Sequence, residues 1–357
     1  MAGTTLSTKQ TLFRGAVALA LLGLVLAITS PAMGVSSSIT GEDVFTGVNI
    51  NALLGAERFY DAGFTGAGAI QANIDAGHIW STHVTLGHVG TFITGTDALG
   101  STDDHATAVG HTMGGRSPGD TYPVSYHRWG IAFGADLWSG AIATAFAPGS
   151  FSATDSSVAS TYSQILQTGV EGQKANVFNS SWGLTDPTGT HLWTIGIDGL
   201  IYASGTVGVF AAGNSGPGAN SILGPASGYN SITVGSVEAD TDTPPYQTLS
   251  GFSSRGPQDF YHAGTETVIP GVRAAVDIVA PGEDLTLATY VTTGPPADRP
   301  YLYIANRSGT SFSTPLVAGG ASLLVGAGKT VYSDNPYAVD GRVVKAVLLN
   351  SADKLPG

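Results

Sequence analysis

The sequence predicts an α/β protein with a three-layer α/β/α architecture around a largely parallel central sheet. Three observations carry that prediction. Short apolar runs alternate with longer helical stretches from about Asn51 onward. The later runs are short and apolar, as strands buried on both faces of a parallel sheet should be. Helical segments fall between them, so successive strands are joined by crossovers and run parallel.

In chain order, Ala69–Ile74 is the first strand, running into a turn at Asp75-Ala76-Gly77. Residues 105–114 are helical and rich in small side chains, and Ala135–Ala143 is the next strand. Helix over 155–170, strand over Ala175–Asn179, helix over 193–204 and strand over Thr206–Ala212 follow. Ile232–Val237 and Val276–Ala280 are further strands. A small-residue helix starts at Ser311 and reaches about Val325, and a last helix covers Gly341–Ser351. In such sheets the loops at the carboxyl ends of the strands carry the chemistry.

The chain has 357 residues, 42% hydrophobic, enough to bury a substantial core. Charged residues are 11%, against roughly 25% in an ordinary domain. The 50 glycines are about twice the usual share. Both values suit a protein of many tight turns with a polar, weakly charged surface. A formal net charge of -12, with no Lys/Arg run, argues against nucleic acid, whose binding needs cations to displace phosphate counterions. No cysteine is present, which excludes disulfides and thiolate metal sites.

At the N-terminus, Lys9 and Arg14 precede a 13-residue apolar run, Ala16–Ile28, then Ser30-Pro31 and the small residues Ala32 and Gly34. This is the pattern of a secretory signal over residues 1–34. The run is shorter than the ~20 residues a membrane anchor needs, so no stable membrane span is expected after cleavage, and the product is secreted, extracellular or periplasmic. Residues 35–50 read as a polar linker and 51–357 as the folded domain.

Four segments have the residue types of acyl-transfer chemistry. In Gly309-Thr310-Ser311-Phe312-Ser313-Thr314-Pro315, glycine permits a tight turn and Ser311 starts a helix, where free N–H groups favour developing negative charge. Pro315 is expected within the first turn, where a missing N–H costs little. A serine nucleophile needs a base, and His105 opens the helical segment His105–His111, with His111 its nearest competitor. A carboxylate must orient that base, and Asp75 ends a strand. Asn214, in Ala211-Ala212-Gly213-Asn214-Ser215-Gly216, offers a neutral amide donor for an oxyanion.

Together these strings resemble the subtilisin-like serine peptidases, the subtilases. Asp75-Ala76-Gly77 resembles the family's aspartate motif, His105 with Thr107 and Val109 the histidine motif, and Gly309-Thr310-Ser311 with Ser313 and Pro315 the serine motif. Ala211–Asn214 is similar to the oxyanion motif, and Ser180-Ser181-Trp182-Gly183 to the strand that binds substrate backbone. Ser250–Gly256 and Val279–Gly282 match two structural landmarks, so the resemblance runs from about residue 51 to 353. It implies a subtilisin-like fold, an Asp75-His105-Ser311 triad, protein or peptide substrates, and no cofactor in the chemistry.

The histidine motif departs from the family's His-Gly-Thr-His-Val-Ala-Gly at Ala106, Ala108, Gly110 and His111. Ala106 suits a helix, whereas His111 is expected to alter packing behind the site. Relatives often hold structural calcium. Asp103, Asp104, Asp240 and Asp242 offer oxygen ligands without diagnostic spacing. About 16 residues separate Gly34 from the domain, which leaves no space for a long folding prosegment. The chain runs six residues past the last helix.

Two other readings compete. A sedolisin-type peptidase uses Glu and Asp in place of His, but no Glu-x-x-x-Asp stands near His105. A catalytically silent relative would act as a binding protein.

Overall fold

The computed structural model describes residues 48–116, 129–239, 245–290 and 302–355. The expected signal peptide, nearly all of the linker, Asp240, Asp242 and the final Pro356-Gly357 lie outside the described residues.

Seven parallel strands form the central sheet: β1 (Ile70–Asp75), β2 (Thr91–Thr94), β3 (Asp136–Ala141), β4 (Val177–Ser180), β5 (Val207–Ala211), β6 (Ile232–Val237) and β7 (Ile278–Pro281). Their spatial order is β7-β6-β5-β4-β1-β3-β2: β4 to β7 are added outward on one side of β1, while on the other side the chain goes first to the edge strand β2 and returns to place β3 between β2 and β1. The main helices are α1 (Asp104–Gly114), α2 (Asp155–Ser163), α3 (Leu192–Ser204), α4 (Thr310–Val331) and α5 (Gly341–Ser351).

The core divides into two layers, one on each side of the sheet. Val177, Val209 and Val234 pack with Val109 and Met113 of α1 and Leu316 and Ala318 of α4. On the opposite face, Ile74, Phe178 and Phe210 pack with Tyr162 next to α3's Ile197 and Ile201. The three-layer architecture is therefore present, with β-strand alternation dividing each strand between the layers.

Five expected strands match in place, and the sixth, Val276–Ala280, shifts to Ile278–Pro281. Strand β2 is missing from the sequence reading, because Thr-Phe-Ile-Thr at a sheet edge is half-polar and short. Helix α2 ends at Ser163 and continues as a wider turn over Gln164–Thr168. Helix α4 extends to Val331, six residues past the expected end.

By length and composition, α4 is apolar enough to cross a bilayer, yet 83% of its apolar window is buried inside the protein. It is the core helix of the α1/α4 layer. Its small residues permit close contact: a Cβ on Gly319 would lie 2.5 Å from Ile131 Cβ.

Candidate active site

Side-chain alternation along β1 decides where Asp75 faces. Ile70, Ala72 and Ile74 belong to the α2/α3 layer. Gln71, Asn73 and Asp75 therefore face the α1 side, and all three are buried. Gln71 Nε2 donates to Ala132 O at 3.1 Å, and Asn73 Nδ2 donates to Ala106 O at 3.2 Å. The second bond ties β1 to the helix turn next to His105.

The chain then turns at Gly77, where a Cβ would lie 2.4 Å from Ser101 O and 2.7 Å from Asp103 Cβ. A glycine there lets the turn press against the start of α1. Asp103 caps that helix, its Oδ2 accepting from Ala106 N at 2.8 Å. His105 follows as the second helical residue.

Asp75 Oδ1 accepts from Ala76 N at 2.7 Å, and Oδ2 meets His105 Nδ1 at 2.9 Å. The Asp75 side chain is 2% exposed and the imidazole 35%, so one edge of the ring is sheltered and the other open. Desolvation is the largest influence on the His105 pKa and pulls it down. The charge and hydrogen bond of Asp75, with the charge of Asp103, outweigh it and hold the pKa above the ordinary imidazole value. Burial, then the neighbouring Asp75 charge, raises the pKa of Asp103.

Ser311 is the second residue of α4. Gly309 before it has φ 152° and ψ 151°, a region essentially reserved for glycine. The Ser311 hydroxyl donates to Ser181 O at 3.1 Å, while Ser181 Oγ donates to Ser311 O at 2.8 Å. The His105 ring lies beside Phe312, centroids 5.8 Å apart, so His105 stands against the residue that follows Ser311.

Pro315 corrects the sequence reading. Helix α4 begins at Thr310, so Pro315 lies in its second turn and removes the donor that Ser311 O would otherwise receive. Ser181 Oγ supplies that donor from the neighbouring segment. The proline thus leaves a carbonyl of the nucleophile residue free to be held by another element.

Asn214 is oriented by its oxygen. Oδ1 accepts from both Thr310 N and Thr310 Oγ1 at 3.0 Å, which turns the Nδ2 donors the other way. A Cβ on Gly309 would lie 3.4 Å from Asn214 Nδ2 and 3.8 Å from Ser311 N. These two donors therefore flank one small space beside Gly309 and Ser311.

The Ser180–Gly183 segment divides. Ser180 Oγ bonds Tyr162 OH at 2.5 Å within the α2/α3 layer, so that side chain faces away from Ser311. Ser181 touches Ser311 directly. Trp182 is buried among Tyr162, Phe151 and Trp193. Gly183 packs against Leu223, whose Cβ would be 2.7 Å from a Cβ at that position.

His111 is fully buried, with Nδ1 2.9 Å from Thr85 Oγ1 and its ring against Tyr303 and His83. Of the acidic residues considered for calcium, Asp103 caps α1, and Asp104 pairs with Arg307. Asp75, Asp103 and His105 bring ligand-type atoms within 4.8 Å of one another, but the His105 Nδ1 atom is spent on Asp75.

Sequence reasoning missed Asn73, Thr310 and Arg307. Asn73 had a detectable signal, a carboxamide two residues before Asp75 and in step with Gln71, all three on one face of the strand. Arg307 had none.

A family model described as the subtilase family matches residues 84–357, a span that takes in His105, Asn214 and Ser311 and begins after Asp75. Serine protease AprX of Bacillus subtilis (strain 168) is 30% identical over 154 residues, 43% of this chain and 31% of AprX. Subtilisin DY of Bacillus licheniformis is 29% identical over 280 residues, 76% of this chain and 82% of its own length.

Proposed function

The chain belongs to the subtilase family, and from that premise we propose that it is an exported serine endopeptidase acting on protein or peptide substrates through Asp75, His105 and Ser311. The observation that carries the assignment is the 2.9 Å bond from His105 Nδ1 to Asp75. It commits one ring nitrogen to the carboxylate and leaves Nε2, on the more open side, to take a proton.

In the proposed cycle the Ser311 hydroxyl swings from Ser181 O to His105 Nε2. As Oγ attacks the scissile carbonyl carbon, its proton passes to Nε2, and Asp75 stabilises the imidazolium. The carbonyl oxygen becomes an oxyanion in the space between Asn214 Nδ2 and Ser311 N–H. His105 then gives the proton to the leaving amine, and the C–N bond breaks to leave an ester on Ser311. Water repeats the steps with His105 as base, releasing the acid and regenerating the hydroxyl.

The test is hydrolysis of fluorescently labelled casein by the purified protein, beside Ser311→Ala and a sample treated with a serine-directed phosphonate. Activity lost in both controls supports the nucleophile. Retained turnover in Ser311→Ala removes it, and no cleavage by folded wild type favours a silent binding protein. N-terminal sequencing of the exported product tests the signal, with a new terminus near Gly34 expected.

A further inference from the structure

Asp104 stands immediately before His105, and its carboxylate is engaged by residues far along the chain. Oδ1 accepts from the Thr289 hydroxyl at 2.6 Å and from Tyr290 N at 2.8 Å. Oδ2 pairs with the Arg307 guanidinium, which also donates to Thr289 Oγ1 at 3.4 Å. Arg307 ends the strand Tyr303–Arg307, paired antiparallel with Leu285–Ala288, and lies four residues before Ser311. The residue next to the base is thus bonded to the segment that delivers the nucleophile.

An exposed ion pair would contribute little. This one is different in setting. The Arg307 side chain is 19% exposed and that of Asp104 37%, and the bridging Thr289 is buried. Two neutral donors join the guanidinium on a single carboxylate, so its position is set from three directions.

We propose that Asp104 and Arg307 are positioning residues for the reaction, a clamp that holds the His105 end of α1 against the strand leading to Ser311. The proposal rests on the peptidase reading of the site. Proton transfer from Ser311 requires atoms on two separate elements to meet at about 3 Å. A displacement of about 1 Å in such a pair costs on the order of 100-fold in rate. The clamp joins those two elements within one residue of the base and four residues of the nucleophile.

The clamp also has an electrostatic consequence. The charged groups facing His105 are Asp75 from β1, Asp103 from the turn before α1, and Arg307 from the strand. The carboxylates raise the imidazole pKa and Arg307 lowers it. Removing the guanidinium therefore moves His105 titration upward, an effect that loss of packing alone would not produce.

The experiment compares wild type with Arg307→Met, Arg307→Lys and Asp104→Asn. It uses steady-state kinetics on a fluorogenic peptide together with NMR titration of ¹⁵N-labelled histidine. Arg307→Met and Asp104→Asn are expected to lower kcat by about 10- to 100-fold with KM within about twofold. In Arg307→Met the His105 titration moves to higher pH. Arg307→Lys, which keeps the charge and loses the planar fork, restores the titration and part of kcat.

Kinetics within twofold of wild type in both neutral variants would overturn the clamp. So would a kcat loss that coincides with an unmoved His105 titration in folded Arg307→Met, because the pair would then be only structural. Wild-type protein that neither hydrolyses peptide nor reacts with the phosphonate overturns the peptidase reading itself, and the clamp with it. Active wild type with unaffected variants overturns the clamp alone.

Discussion

His105 sets the pH dependence expected at the scale of single residues. In the proposed cycle its neutral form is the base, and Asp75 and Asp103 hold its pKa above the ordinary imidazole value despite desolvation. Activity should therefore appear as pH rises through that raised value, and the acid limb of kcat/KM should lie above the usual imidazole midpoint. A pH–rate profile checks this, and a limb below that midpoint would contradict it. Asn214 yields a second expectation. Asn214→Ala removes one of the two donors beside Gly309 and should lower kcat by about 10²–10³-fold with KM little changed. Nothing in the sequence marks Thr310 as a partner of Asn214, since the two are 96 residues apart and meet only through folding.

The connection between α4 and the Ser181 segment belongs to the scale of elements. Pro315 cannot donate to Ser311 O, and Ser181 Oγ does so instead. Ser181→Ala should leave that carbonyl unpaired and cost about 1–3 kcal/mol, read as a lower denaturation midpoint. Adding Pro315→Ala restores an intrahelical N–H and should recover part of the loss, so the two substitutions should be non-additive. Equal and additive losses would refute the compensation. The elements themselves were legible, because β4, β5 and β6 are buried on both faces and read as short, mainly apolar runs, and β1 is legible from its apolar Ile70, Ala72 and Ile74. The edge strand β2 and the end of α4 were less legible, since neither is marked by a strong change in composition.

For the molecule as a whole, buried histidines determine how the fold responds to acid. His83 Nε2 bonds Leu302 O at 3.0 Å, joining parts of the chain 219 residues apart. Burial lowers its pKa to about 4. Burial, with the Arg116 charge, lowers that of His88 to about 4. The unfolded chain takes up protons near 6.5, the ordinary imidazole value, where the folded rings do not. Stability from these groups is therefore present above about 6.5 and is lost as pH falls toward about 4. Thermal melts from pH 7 to 4 should show this decline, and His83→Gln should flatten it. A flat wild-type profile across that window would count against the assignment.

The sequence by itself determined the α/β class, the order of most strands and helices, and the four segments with catalytic residue types. It could do so because these features are local: hydrophobic period, turn-forming glycine, and reactive side chains next to helix starts. Only the tertiary structure decided which face of β1 carries Asp75, that Ser180 turns inward while Ser181 meets Ser311, and that His111 packs against Tyr303. It also decided that Asp104 meets Arg307. Those facts depend on contacts between separate elements, from Tyr162 with Ser180 to Asp104 with Arg307, whose geometry is set by the packing of two layers on one sheet and leaves no periodic trace in the chain.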